Sequence, residues 1–320
     1  MNDPAAGRDL AGDPESLAGL ARETQVDLER WANLYPSFDP AQFTGVALTT
    51  AVHLPGWSRD TRLLAAEVSA WILTFDGMVD EGRMSQSEQQ SCMVGYKAII
   101  RGDTALPPRP NDDLSLAILD IRQRMAVYPS FAALSWHWRW SFNQMVDAIV
   151  WQRHAGQVQG WVTEPAVMSM PSYDALMGRA LHSIGVPFYL ATCFILHKDQ
   201  AIEERLPILI EIGEECARAI RLANDLRTWR REEDEQTINT VVVVRQEILR
   251  ENPEIGSAEC HDQAIQVLKE RELASIARTH TLLASSPASS SPVEAGIGRL
   301  VNHVTGYYAL QDYRTFSGRD

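Results

Sequence analysis

Along this 320-residue chain apolar residues recur at three- and four-residue spacing almost from end to end, and no stretch alternates apolar and polar convincingly. That period belongs to helices and not to strands. It predicts about ten helices, near 16–34, 60–81, 86–101, 112–127, 131–155, 172–197, 203–232, 238–250, 261–284 and 293–315. Val241 to Val244 could pass for a strand, but Glu247, Ile248 and Leu249 continue a helical pattern better. Residues 105–110, 231–236 and 285–292 read as loops or frayed helix ends, and none is long enough for a domain linker. With no internal repeat, the expectation is all-α: a flexible N-terminal tail at 1–15, then one domain over 16–320.

Charge narrows the partners. Lys plus Arg number 29 and Asp plus Glu 42, a formal charge of −13. That balance argues against a protein held on nucleic acid by phosphate contacts, and against adsorption to an anionic membrane. A phosphorylated ligand would need local attraction, from metal ions or a few placed arginines. No stretch approaches the roughly 18 apolar residues of a spanning helix, so no membrane insertion is expected. The first residues are acidic and carry no apolar signal core. Cys92, Cys193, Cys216 and Cys260 are scattered, with no CxxC pair, and read as free thiols in a reducing cytoplasm.

The first candidate constellation is Phe75-Asp76-Gly77-Met78-Val79-Asp80-Glu81. Asp76 and Asp80 lie four apart and stack on one helix face. They end an apolar run that begins at Val68. Negative charge at a helix C-terminus is disfavoured by the dipole, and Gly77 costs about a further 1 kcal/mol relative to Ala. Two local rules broken together suggest a site; the plain alternative is an exposed acidic turn.

The second is Asn224-Asp225-Leu226-Arg227-Thr228-Trp229-Arg230-Arg231-Glu232. Asn224, Thr228 and Glu232 sit at i, i+4 and i+8, drifting by about 80° over the span, so they form one stripe. An amide oxygen, a hydroxyl and a carboxylate are hard donors of the kind Mg²⁺ prefers. A polar helix face laced by i, i+4 pairs is the alternative. The third piece is Arg179, on a helix that Gly185 and Pro187 should kink. Its guanidinium could hold a phosphate bidentately, or simply serve a surface salt bridge.

Together these residues resemble a class I terpene synthase. Asp76-Gly77-Met78-Val79-Asp80 reads as that family's DDxxD motif with Gly in place of the second Asp, and Asn224, Thr228 and Glu232 match its (N/D)xx(S/T)xxxE motif. Tyr173, Arg179 and Gly185 match the setting of its pyrophosphate-sensing arginine. The positions after the sensor fall on His182 and Ser183, where Asp or Thr and then Gly are more usual. The C-terminal Arg-Tyr appears in the order Tyr313-Arg314.

The resemblance implies a helical bundle around an apolar cavity. It implies three Mg²⁺ bridging Asp76 and Asp80 on one side, and Asn224, Thr228 and Glu232 on the other, to an allylic diphosphate. Arg179 and Arg314 would add positive charge. The allylic cation would cyclise in the cavity, with Phe75 and Trp71 as the favoured cation–π walls. Among Trp136, Trp138, Trp140 and Trp151, helix core or surface patch is the commoner role. The expected substrate is geranylgeranyl diphosphate or a bicyclic C20 diphosphate. Alternatives are a sesquiterpene cyclase on farnesyl diphosphate, a chain-elongating prenyltransferase (which needs a second Asp-rich motif), and a non-catalytic helical scaffold. A homodimer is left open.

Overall fold

The computed structural model describes residues 14–103, 111–159, 170–197, 201–235 and 237–313. The described residues form α-helices and one short 3₁₀ turn, with no strand among them. The helices are α1 (Pro14–Ala32), α2 (Phe43–His53), α3 (Arg59–Asp80), α4 (Gln86–Arg101), α5 (Asp113–Met125) and α6 (Phe131–Gln159). There follow α7 (Tyr173–Ser183), α8 (Val186–Leu196), α9 (Ile202–Asp234), α10 (Thr240–Glu251), α11 (Ser257–Ser285) and α12 (Pro292–Leu310).

Local signals explain most starts and stops. Ser58 opens α3 by accepting from Thr61 N, and Ser85 with Glu88 forms a full capping box on α4. Gly102 closes α4 in the left-handed conformation at φ 80°. Val241 to Val244 are helical, inside α10.

The structure departs from the periodicity in three places. Helix α2 is additional: its β-branched residues and glycine give weak propensity, and it forms because Phe43, Val46, Ala47 and Ala51 are buried, with α1, α3 and α12 packed round it. The helix expected over 172–197 is two, α7 and α8, bent by 42°. Gly185 makes the break at φ 77°, and a Cβ there would lie 2.5 Å from Ile72 Cγ2, so the turn needs glycine. Finally, α9 runs on through Arg231-Glu232-Glu233-Asp234, where a loop was expected, because Arg and Glu favour helix.

One buried apolar cluster draws residues from all twelve of these helices. Among the described residues no single helix is long and apolar enough to cross a membrane; α7 and α8 pass that test only when joined across their bend. All four cysteines are buried, and none is in a disulfide.

Helix α9 lies at the centre, against α7, α8, α10, α11 and α12, while α3 packs on α2, α5, α6 and α8. The C-terminal turns of α3 and α9 line a common space.

Candidate active site

That space has two adjoining lobes, with about 630 and 550 Å³ of space between atoms, open solvent included. They share Ile72, Leu73, Ile184, Tyr308 and Tyr313 as walls. One lobe is polar and takes in Asp76, Asp80, Asn224, Glu232 and Asp312, with Arg221 and Arg231. The other is mostly apolar, walled by Val46, Val186, Ile220, Leu300 and Val304, with hydroxyls from Thr49, Ser69 and Tyr189.

Helix α3 presents Ser69, Ile72, Leu73, Asp76 and Asp80 to this space, a stripe at helical spacing. Asp76 is half-buried and Asp80 buried at the last turn. Asp80 Oδ1 accepts a 3.4 Å hydrogen bond from Thr237 Oγ1, in the turn after α9. A Cβ at Gly77 would meet Arg83 and Glu81 only at ordinary contact distance, so packing does not require glycine there.

Trp71 and Phe75 correct the expectation of cavity walls. Each stands one residue before a cavity-facing position, about 100° round the helix, and lines neither lobe. They stack at 5.4 Å in an aromatic core with Tyr96 and Phe142, and Trp71 Nε1 donates to Leu114 O.

On α9, Asn224, Thr228 and Glu232 are all buried. Thr228 Oγ1 lies 2.8 Å from Asn224 O and 2.6 Å from Glu232 Oε1. Glu232 Oε2 accepts a 2.8 Å bond from Asn239 Nδ2, whose second N–H reaches Asp225 O at 3.2 Å. The Asn239 Oδ1 in turn accepts from Val241 N and starts α10. Buried Tyr308 bonds the Asn224 side chain, and its hydroxyl is held neutral, far above the ordinary phenol range, by burial.

Asp225 points to the inner side of α9. Its Oδ1 lies 2.5 Å from Arg221 Nη2, and its Oδ2 accepts from Thr240 N at 3.1 Å. Burial pushes its carboxyl up to about 6 although Arg221 pulls the other way. Arg231 Nη1 pairs with Asp312 Oδ2 at 2.6 Å, tying the end of α9 to the segment after α12.

The remaining predicted residues separate. Tyr313 is buried, lines both lobes, stacks on Tyr307 at 4.5 Å and bonds Thr49 through its hydroxyl at 2.6 Å. Arg314 lies outside the described residues. Ser183 lines the polar lobe and donates to Ala180 O. His182 lines neither lobe; it packs edge-on to Trp140, and burial lowers its pKa to about 4. Arg179 is exposed, with its guanidinium 4.8 Å over the Trp151 ring, and also lines neither lobe.

Arg221, Gln152, Thr237, Asn239 and Asp312 were not anticipated. Arg221 had a readable signal: with Asp225, Thr228 and Glu232 it occupies i, i+4, i+7 and i+11, a single face of α9.

The donors that α3 and α9 present to the polar lobe are carboxylates and an amide oxygen, a set that fits Mg²⁺, while the Thr228 hydroxyl bonds Asn224 O and Glu232 and lines neither lobe. Among the described residues no three His, Cys, Asp or Glu side chains are gathered into a metal cluster. Such a divided set fits an ion that also takes oxygens from a ligand between the two helices.

The family model described as terpene synthase family 2, C-terminal metal binding, matches residues 67–252, more than half of the chain. The chain belongs to this family and is a terpene synthase. Comparison with curated protein sequences finds no match. Among solved structures, 2-methylisoborneol synthase from Streptomyces coelicolor A3(2), in complex with Mg²⁺ and geranyl-S-thiolodiphosphate, is 15% identical, with TM-score 0.69 over 94% of this chain and 93% of that one. Linalool/nerolidol synthase from Streptomyces clavuligerus is 13% identical, with TM-score 0.68 over 90% and 96%. Hedycaryol synthase in complex with nerolidol is 13% identical, with TM-score 0.65 over 89% and 93%. At these identities the likeness is one of fold.

Proposed function

We propose that this terpene synthase is a Mg²⁺-dependent class I cyclase that ionises an allylic diphosphate and closes the carbocation into a ring. One observation carries the reading: a polar lobe with Asp76, Asp80, Glu232 and Asp312 against Arg221 and Arg231 shares Ile72, Leu73, Ile184, Tyr308 and Tyr313 as walls with an apolar one. An acidic lobe repels a diphosphate unless cations come with it, while the apolar lobe suits a prenyl chain and holds little water.

Asp76 and Asp80 from α3, and Asn224, Thr228 and Glu232 from α9, would hold the ions, three in number as the family resemblance implies. When bound, Mg²⁺ supplies positive charge where the leaving diphosphate becomes more negative. Thr228 and Asn239 orient the Glu232 carboxylate. The Tyr308 and Tyr313 rings border both lobes, where their faces would stabilise a passing cation. Arg179 would reach the diphosphate only after leaving Trp151, and Arg314 follows directly on Tyr313.

Residues 16–320 are proposed to act as one synthase domain after the tail at 1–15; the single apolar cluster supports this. The C20 substrate rests on the motif resemblance. The homodimer has no support in the comparisons and forms no part of this reading, and the cytoplasmic location rests on the sequence pattern.

The test is incubation with geranyl, farnesyl and geranylgeranyl diphosphates, with Mg²⁺ or with EDTA, and mass spectrometry of the extract. A cyclic product from one of them, lost in EDTA, is expected. Full turnover in chelator, or no product from any, would overturn the reading.

A further inference from the structure

His53 is a buried imidazole that the proposed metal site does not use. It ends α2, is 2% exposed and lines neither lobe. Its Nδ1 lies 2.8 Å from the hydroxyl of Tyr189, and Tyr189 is itself a wall of the apolar lobe. The two rings are 5.3 Å apart and tilted by 46°. Helix α12 makes room for the imidazole: a Cβ at Gly296 would lie 3.0 Å from His53 Cδ2 and 3.1 Å from Nε2. Arg299 pins the backbone behind it, donating to Val52 O and His53 O at 3.0 Å each.

An apolar pair would fill this space without the cost of burying an imidazole and a phenol. Thr50 and Cys193 also lie against the Tyr189 hydroxyl. Thr50 commits its proton to Val46 O at 2.8 Å, and Cys193 is a thiol kept protonated by burial. Of these neighbours only His53 can take up a proton. Among the described residues, Tyr189 is the one hydroxyl on the lobe walls that bonds an imidazole. A proton path from the apolar lobe to a base behind it therefore runs through one oxygen.

We propose that Tyr189 is the catalytic base that ends the reaction, taking a proton from the cyclised carbocation while its own hydroxyl proton passes to Nδ1 of His53, so that the product is an olefin. The C–H electron pair beside the cationic carbon becomes the new C=C bond. An O–H bond forms at Tyr189 as the old one breaks, and an N–H bond forms at Nδ1. His53 starts with its proton on Nε2 and ends as imidazolium, so the positive charge leaves the lobe for the helix behind it. A proton beside a cationic carbon is so acidic that an acceptor in place matters more than a strong one. Burial first and the Arg299 charge second hold the His53 pKa down to about 3, so the ring begins neutral and gives its proton back by the same path once the lobe opens to water. The inference rests on the proposed function and names the group that completes it.

The test uses the full chain with Mg²⁺ and geranyl, farnesyl and geranylgeranyl diphosphates, and reads products by mass spectrometry against diphosphate released. Tyr189→Phe keeps the ring and removes the oxygen. His53→Gln keeps a hydrogen-bonding partner for Tyr189 but cannot take the proton. Wild type should give chiefly one olefin. In each variant the yield of that olefin per diphosphate released should fall by about tenfold or more, replaced by isomeric olefins or by alcohols from water capture. Diphosphate release should fall far less than the olefin does. A merely structural role for His53 would leave that ratio unmoved in a folded His53→Gln. If His53→Gln melts early, Tyr189→Phe decides.

An unchanged product ratio in folded Tyr189→Phe overturns the assignment. A change in Tyr189→Phe without one in folded His53→Gln overturns the transfer to His53. An alcohol as the main wild-type product overturns the olefin-forming step and leaves the cyclase reading standing. A wild-type chain that releases diphosphate from none of the three substrates overturns the proposed function, and this inference with it.

Discussion

Thr237 donates a 3.4 Å hydrogen bond from Oγ1 to Oδ1 of Asp80, across 157 residues of sequence. The contact joins the last turn of α3 to the turn that follows α9, so the two motif-bearing helices are tied at their functional ends. The spacing between the aspartate pair and the Asn224 stripe is therefore built into the folded chain before any ligand arrives.

That spacing makes the proposed metal-binding residues separable from the core. Asp76→Ala and Asn224→Ala should each abolish product while helical circular dichroism stays native. Asp76 is half-buried at a helix end, and Asn224 faces the lobe. Near-wild-type turnover in both variants would mean that the site lies elsewhere.

Arg179 tests whether an exposed residue serves the reaction. Because it is exposed and covers the Trp151 ring, Arg179→Lys should leave stability within about 0.5 kcal/mol. If the guanidinium swings over to hold the leaving diphosphate, single-turnover diphosphate release should slow by about ten- to a hundredfold. Equal rates in the two proteins would make Arg179 an ordinary surface arginine.

His53 should give the fold a sensitivity to acid. It is buried, its Nδ1 lies 2.8 Å from the Tyr189 hydroxyl, and burial lowers its pKa to about 3. Below about pH 6.5 the unfolded chain binds a proton that the folded one refuses. Stability should therefore fall as pH drops from 6.5 towards 3, by about 2 kcal/mol from this group at pH 5. His137 and His182, both lowered to about 4 by burial, add slopes of the same sign. Urea unfolding of wild type and His53→Gln at pH 7.5, 6 and 5 isolates the first effect. Curves that run parallel across this range would contradict it.

Gly185 carries two penalties for any side chain. Gly185→Ala would force a left-handed φ on alanine and press its Cβ against Ile72. The expected loss is about 2–4 kcal/mol, from backbone strain and overpacking together. In an Ile72→Ala background the same change should cost only about 1–2 kcal/mol, because the strain remains and the clash does not. Identical costs in both backgrounds would show that the contact is harmless.

Much of this was readable in the chain. The apolar period placed most of the helices, and Gly185 with Pro187 marked the bend. What escaped was decided by tertiary contact. The sequence of α2 reads as weak helix, and burial against its neighbours forms it. The sidedness of Trp71 and Phe75 depends on which face of α3 the cavity takes. Had Asp76 and Asp80 been used to set that face, Ile72 and Leu73 would have been the walls chosen. The exposure of Arg179 depends on Trp151, 28 positions away, and no local pattern carries it. Arg221 was legible by spacing and was overlooked beside the stronger motif that follows it.

Asn239 spends its side-chain oxygen on the start of α10 and its side-chain nitrogen on Asp225 and Glu232. Ser, Thr and Asp also begin helices well. The first two lack an N–H₂ group, and Asp would set a second negative charge against Glu232. Of the good helix-starting side chains only the amide meets both demands. A lineage drifting at this position would lose the orientation of the Glu232 carboxylate in the same step that frays α10, so the folding of one helix and the shape of the polar lobe are inherited as a single trait.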